Sequence, residues 1–104
     1  MSKAERISRI LPEMDAIEGI IRPFEPYSAE VTGALKAIAE FRESAKSPEK
    51  ADLNQVLERL NYAEIQFDQY RGEAYADQII DDLTRHIDKI RKIIREPLQR
   101  QLLK

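Results

Sequence analysis

The sequence predicts an all-α domain, a four-helix bundle with helices at about 2–21, 28–45, 48–71 and 73–95. Three observations predict it. Apolar residues recur at steps of three and four over almost the whole chain, and no stretch alternates long enough to be a strand. Ala, Leu, Ile, Glu, Lys, Arg and Gln dominate the composition, most of them good helix formers, with only 3 Gly. Proline and glycine punctuate the periodic stretches at 22–27, 47–48 and 72. A second arrangement has three helices, with one continuous helix over 48–95 in an intertwined dimer.

The first helix is signalled by Ser2 and Glu5, a capping-box spacing. Ile7, Ile10, Met14, Ile17, Ile21 and Phe24 then form one stripe, flanked by Leu11 and Ile20. The stripe keeps its register through Pro12, which points away from it. This predicts a kinked helix with Pro12 on its solvent side, or else a new helix starting at Pro12. Pro23 and Pro26 make 22–27 a linker.

Ser28 is placed to cap the second helix, with Glu30 in its first turn. Its inward face is Val31, Ala34, Leu35, Ile38, Phe41 and Ala45. Gly33 lies off that face, and close packing is the one reason found for it.

Ser47-Pro48-Glu49 predicts the start of the third helix, with a cap, a proline at the first helical position and an acid for the dipole. Leu53, Val56, Leu57, Leu60, Ala63, Phe67 and Tyr70 follow on one side. After Gly72 the stripe becomes Ala76, Ile80, Leu83, Ile87, Ile90 and Ile94, beside Ile79 and Ile93. At about 100° per residue the two stripes would lie on opposite sides of a single rod. A break near Gly72 removes the conflict. Acids at 73, 77, 81 and 82 and bases at 85, 89, 91, 92 and 95 give the later segment its own dipole-matched polarity. Against a break, no capping residue follows the glycine directly.

A chain of 104 residues is one domain, here 1–104, with 96–104 as a short C-terminal tail. At 42% hydrophobic and 35% charged it is neither disordered nor membrane-embedded. A net charge of −2 gives no overall pull toward nucleic acid. The absence of cysteine excludes disulfide and thiolate chemistry. No apolar run reaches 18 residues, and the first residues read as an amphipathic helix rather than a signal peptide. The cytoplasm is the expected location.

Catalytic and cofactor motifs are not found. His86 is the only histidine, expected to pair with Asp82 one turn earlier. Glu73, Asp77 and Asp81 are spaced to share a helical face, a ladder that suits Mg²⁺ or simply a solvated acidic surface. The three glycines are isolated, so no glycine-rich loop cradles a phosphate. No catalytic, cofactor-binding or metal residue is assigned, no cofactor is expected, and the protein is read as a non-enzyme.

The region 62–75 holds three of the four tyrosines. Tyr62 and Ile65 lie away from the core stripe, where they either widen core contacts or meet a partner. The favoured function is a protein–protein interaction module (adaptor, small chaperone or assembly subunit) acting through helix packing and homodimerisation. Its contacts are Tyr62, Ile65, Tyr75, Leu98, Leu102 and Leu103. The dimer is expected because two apolar stripes facing opposite ways need more neighbours than one small chain supplies. The alternative is a nucleic-acid-associated regulator using Arg85, Lys89, Lys92 and Arg100, within a stretch of seven bases against two acids. Acid-first pairs at i, i+4 (Asp81 with Arg85, Asp88 with Lys92, Glu96 with Arg100) compete for those bases.

Overall fold

The structure, a computed structural model, describes residues 2–95. Four α-helices account for most of them: α1, Lys3–Ile21; α2, Ala29–Ser44; α3, Leu53–Asp68; and α4, Ala76–Arg95. Two 3₁₀ turns, Arg22–Tyr27 and Pro48–Lys50, join α1 to α2 and lead into α3. Among the described residues there is no strand.

The ends of α1 and α2 follow local chemistry. Ser2 Oγ accepts from the Glu5 amide at 3.1 Å, and Ser28 Oγ accepts from the Val31 amide at 3.2 Å. Each bond satisfies an amide that the first helical turn leaves without a partner. α1 runs unbroken through exposed Pro12, so no new helix begins there. Pro12 leaves the Ser8 carbonyl without its amide partner, at an exposed residue. The expected linker at 22–27 winds as a 3₁₀ helix, with Pro23 near its start.

The start of the third helix differs from the expectation. Pro48–Lys50 forms only a 3₁₀ turn, and the Ser47 side chain caps nothing. Ala51 is buried, and Asp52 then caps α3 by accepting from the Gln55 amide at 2.9 Å. The helix begins where its apolar stripe begins.

The chain breaks at Gly72, so the continuous helix over 48–95 does not form. α3 stops at Asp68 rather than Arg71, α4 starts at Ala76 rather than Glu73, and a turn fills 69–75. Once the chain reverses there, the two stripes no longer oppose each other. Val56, Leu60, Ala63 and Phe67 of α3 and Ile80, Leu83, Ile87, Ile90 and Ile93 of α4 enter the same core. The two-sided burial that argued for a dimer therefore does not arise.

α1 packs on α4, α4 on α3, α3 on α2, and α1 also touches α2. The side-chain links show that α1 and α4 run antiparallel. Arg6 Nη1 donates to the Ile94 carbonyl at 2.9 Å near one end, and Glu13 meets His86 further along. Arg6 thus places a cation on the C-terminal end of α4, where the helix dipole favours one. Arg42 of α2 reaches Asp15 and Glu18 of α1, at 2.5 and 2.7 Å. Arg91 of α4 reaches Glu64 of α3 at 2.8 Å. Within this frame the 22–27 turn lies beside the 69–75 turn, at one end of the bundle.

Candidate functional site

The 69–75 turn is built by short backbone bonds and two side-chain clips. The Tyr70 and Arg71 amides donate to the Phe67 and Asp68 carbonyls at 3.0 and 3.1 Å. Gly72 then takes φ +99°, a conformation that disfavours any residue with a Cβ. Its amide donates to Asp77 Oδ1 at 2.7 Å, which ties the turn to the start of α4. Arg71 holds both sides of the turn, with Nε at 3.0 Å from Asp68 and Nη1 at 3.0 Å from Asp81.

Tyr75 closes the turn in a left-handed conformation, φ +72°, and is 89% exposed. Non-glycine residues rarely take positive φ, and for a bulky side chain it is a marked outlier. Here the side chain gains no burial in exchange.

Tyr75 stands at the mouth of an apolar groove of about 510 Å³. Phe24 and Phe67 meet within its lining edge to face, with ring centroids 5.1 Å apart and planes at 71°. Ile79 and Ile80 of α4 line one part, and Tyr27, Tyr70 and Tyr75 rim the opening. Tyr27 is 85% exposed and Tyr70 half-exposed. Aromatic rings with a polar tip and a large apolar body are the favoured anchors of protein interfaces.

A second groove of about 470 Å³ holds Tyr62 and Ile65 of α3 against Ala29 and Gly33 of α2. Both Tyr62 and Ile65 are exposed, and Gln66 lines both grooves, so the two surfaces adjoin. The Tyr62 hydroxyl donates to Glu58 at 3.0 Å, and that carboxylate pushes the phenol pKa up from its ordinary value. Gly33 is not held by close packing. A Cβ there would meet nothing within 4 Å.

The sequence-predicted contacts thus divide. Tyr75 belongs to the first groove, and Tyr62 and Ile65 to the second. Leu98, Leu102, Leu103 and Arg100 lie outside the described residues. Tyr27 and Ile79 were missed, because the first was read as linker and the second as the flank of a core stripe. Phe24, on the predicted stripe of the first helix, packs against the core and also lines the groove, whereas Tyr70, on the predicted stripe of the third, is half-exposed. A signal was present: in an up-and-down bundle the first and third connections fall at the same end, and each carries a tyrosine.

The polar expectations change more. His86 does not pair with Asp82. Its Nδ1 lies 2.7 Å from Glu13 Oε1 on α1, and Asp82 instead meets Arg85 at 3.1 Å. The acidic ladder is dissolved, since Glu73 precedes the helix, Asp77 caps Gly72 and Asp81 is held by Arg71. Nor do the two expected i, i+4 pairs within the described residues form. Asp81 pairs with Arg71 and Asp88 with Arg91, while Glu96–Arg100 falls outside the described residues. Arg85, Lys89 and Lys92 do share a side of α4, but Asp81, Asp82 and Asp88 are interspersed along it. A phosphate backbone would meet mixed charge there.

Among the described residues, no group of three or more His, Cys, Asp or Glu side chains is placed to hold a metal ion. No described helix is long and apolar enough to cross a membrane. Fold and side chains together define a small, all-helical domain without a catalytic-looking cluster among the described residues. Comparison with family models, with characterised proteins and with solved structures finds no match.

Proposed function

We propose that the chain is a helical protein–protein interaction module, an adaptor or assembly subunit, whose docking surface is the aromatic groove between the 22–27 and 69–75 turns. One observation carries the reading. Tyr75 is almost fully exposed, yet its backbone sits in a conformation that is costly for a residue with a large side chain. Strain of this kind is of order 1–3 kcal/mol and clusters at active sites, ligand clamps and switch regions. The turn's own hydrogen bonds, Glu73 to Tyr70 and Ala76 to Glu73, hold that backbone in the free chain, and a partner that covers the ring would add the burial that the free fold does not give it.

The surrounding residues support the same reading. Tyr27 and Tyr70 supply further rigid amphipathic anchors, and Phe24, Phe67 and Ile79 supply an apolar bed. Ile65 extends the apolar surface into the adjoining groove.

The test uses the full chain as bait in an extract of its native host, beside a Tyr27→Ser, Tyr75→Asn variant and an Ile65→Glu variant. All three side chains are exposed, so the variants keep the helical circular-dichroism spectrum. Recovery of bound protein falls on the tyrosine variant and, less steeply, on Ile65→Glu. Equal recovery on all three baits ends the proposal.

A further inference from the structure

We propose that the groove between the 22–27 and 69–75 turns receives residues 97–104 of a second copy of this chain, reciprocally, so that two molecules close into an antiparallel pair. This rests on the reading of that groove as a docking surface and names its occupant.

The reach of the chain selects a second copy over the same one. Ile80 lines the groove, and Arg95 ends α4 fifteen residues later. That is about 22 Å along a helix that leads away from the groove. Leu98 follows Arg95 by three residues and extends at most about 11 Å beyond it. It cannot fold back to its own groove. Leu102 reaches that far only on a fully extended chain, which would keep the three leucines from entering together. No such limit applies to a neighbour lying the other way round, whose tail starts beside this groove.

Composition and charge fit the same pairing. Leu98, Leu102 and Leu103 are the leucines of the sequence that follows α4. The groove offers a bed of Phe24, Phe67 and Ile79 without a charged group among those three. Around it the turns and the start of α4 carry Glu25, Glu73 and Asp77 against Arg22 and Arg71, with Arg71 already held by Asp68 and Asp81, so the end has an acidic excess. Glu73 lines the groove and Asp77 starts α4, while the tail brings Arg100 and Lys104. Each molecule therefore has an acidic, apolar-floored end and a basic, leucine-bearing end. Two such molecules related by a twofold axis satisfy both ends at once, and the contact closes rather than polymerising.

The test has two arms. In sedimentation equilibrium the full chain is expected at twice its 12.1 kDa mass. The variants Leu98→Ser, Leu102→Ser, Leu103→Ser and Tyr27→Ser, Tyr75→Asn are each expected as helical monomers. The second arm exploits the absence of native cysteine. A Leu102→Cys chain mixed with a Tyr75→Cys chain under mild oxidation is expected to give mainly the mixed disulfide. A monomeric full chain, a leucine variant that still dimerises, or a statistical mixture of disulfides overturns the proposal. So does a doubly substituted chain that closes only on itself. If the pairing fails while capture of host protein still depends on Tyr27 and Tyr75, only the named occupant is wrong. If that capture is indifferent to both tyrosines, the docking surface itself is withdrawn.

Discussion

His86 of α4 and Glu13 of α1 meet across the helix interface, Nδ1 to Oε1 at 2.7 Å, with each side chain about four-fifths buried. Their chain neighbours Met14 and Ile87 are both buried in the core, and the polar pair ties the register of α1 to that of α4. Together with Arg6 on the Ile94 carbonyl, it gives that interface two polar registers. A double-mutant cycle with Glu13→Leu and His86→Leu, which remove both polar groups, is expected to show a coupling of about 1 kcal/mol, in the range of a protein hydrogen bond. Chemical denaturation of the four proteins measures it. Additive losses would make the contact incidental.

Glu18 predicts how the fold responds to acid. Hydrogen bonds first from Arg42 and then from Arg22 hold its pKa down at about 2, from an ordinary 4.5. The charged form is thus favoured by folding, and the unfolded chain binds a proton more readily. The stabilisation is full above about pH 4.5 and is lost as pH falls through about 2. Because the pair is partly solvated, the loss is modest, about 1 kcal/mol or less. Glu18→Gln should flatten the acid limb of a denaturation-midpoint profile between those two values. An unchanged limb would show that Arg42 and Arg22 do not stabilise the carboxylate.

How much of this was legible in the sequence depends on the range of the interaction. Ser2 and Ser28 were read correctly because a cap and the amide it satisfies lie within one turn. The third helix was misplaced because Ser47 and Asp52 both qualify as caps, and burial of Ala51 decides between them. Gly72 was legible as a break because the apolar stripes change sides there. The clips that hold the break, Asp77 on Gly72 and Arg71 on Asp81, required knowing how tightly the chain reverses. Asp82 is within reach of His86 by spacing alone, but the choice between it and Glu13 on another helix is a tertiary fact. The groove was least legible of all, since it exists only when 22–27 and 69–75 are neighbours.

Two glycines should respond oppositely to alanine. Gly33 has helical neighbours and open space where a Cβ would go. Gly33→Ala is expected to stabilise by about 0.5–1 kcal/mol through helix propensity and a stiffer unfolded chain. Gly72 also has open space, but its φ of +99° is the constraint. Gly72→Ala is expected to destabilise by about 1–2 kcal/mol. Thermal melts of the two variants should move in opposite directions. A gain at Gly72 would mean that the turn relaxes without loss.

Tyr75 should show stability and association moving apart. Its left-handed backbone suits glycine or asparagine better than tyrosine, and its ring gains no internal contact worth keeping at 89% exposure. Tyr75→Gly and Tyr75→Asn are therefore expected to raise the stability of the isolated fold, by about 1 kcal/mol for Gly. If the ring is a docking anchor, the same substitutions weaken association, because they remove the aromatic surface and leave the apolar bed uncovered. Denaturation and association must be measured on the same preparations. Lower stability in both variants would show that the turn is built around the tyrosine. Higher stability with undiminished association would leave the strain at Tyr75 without a function.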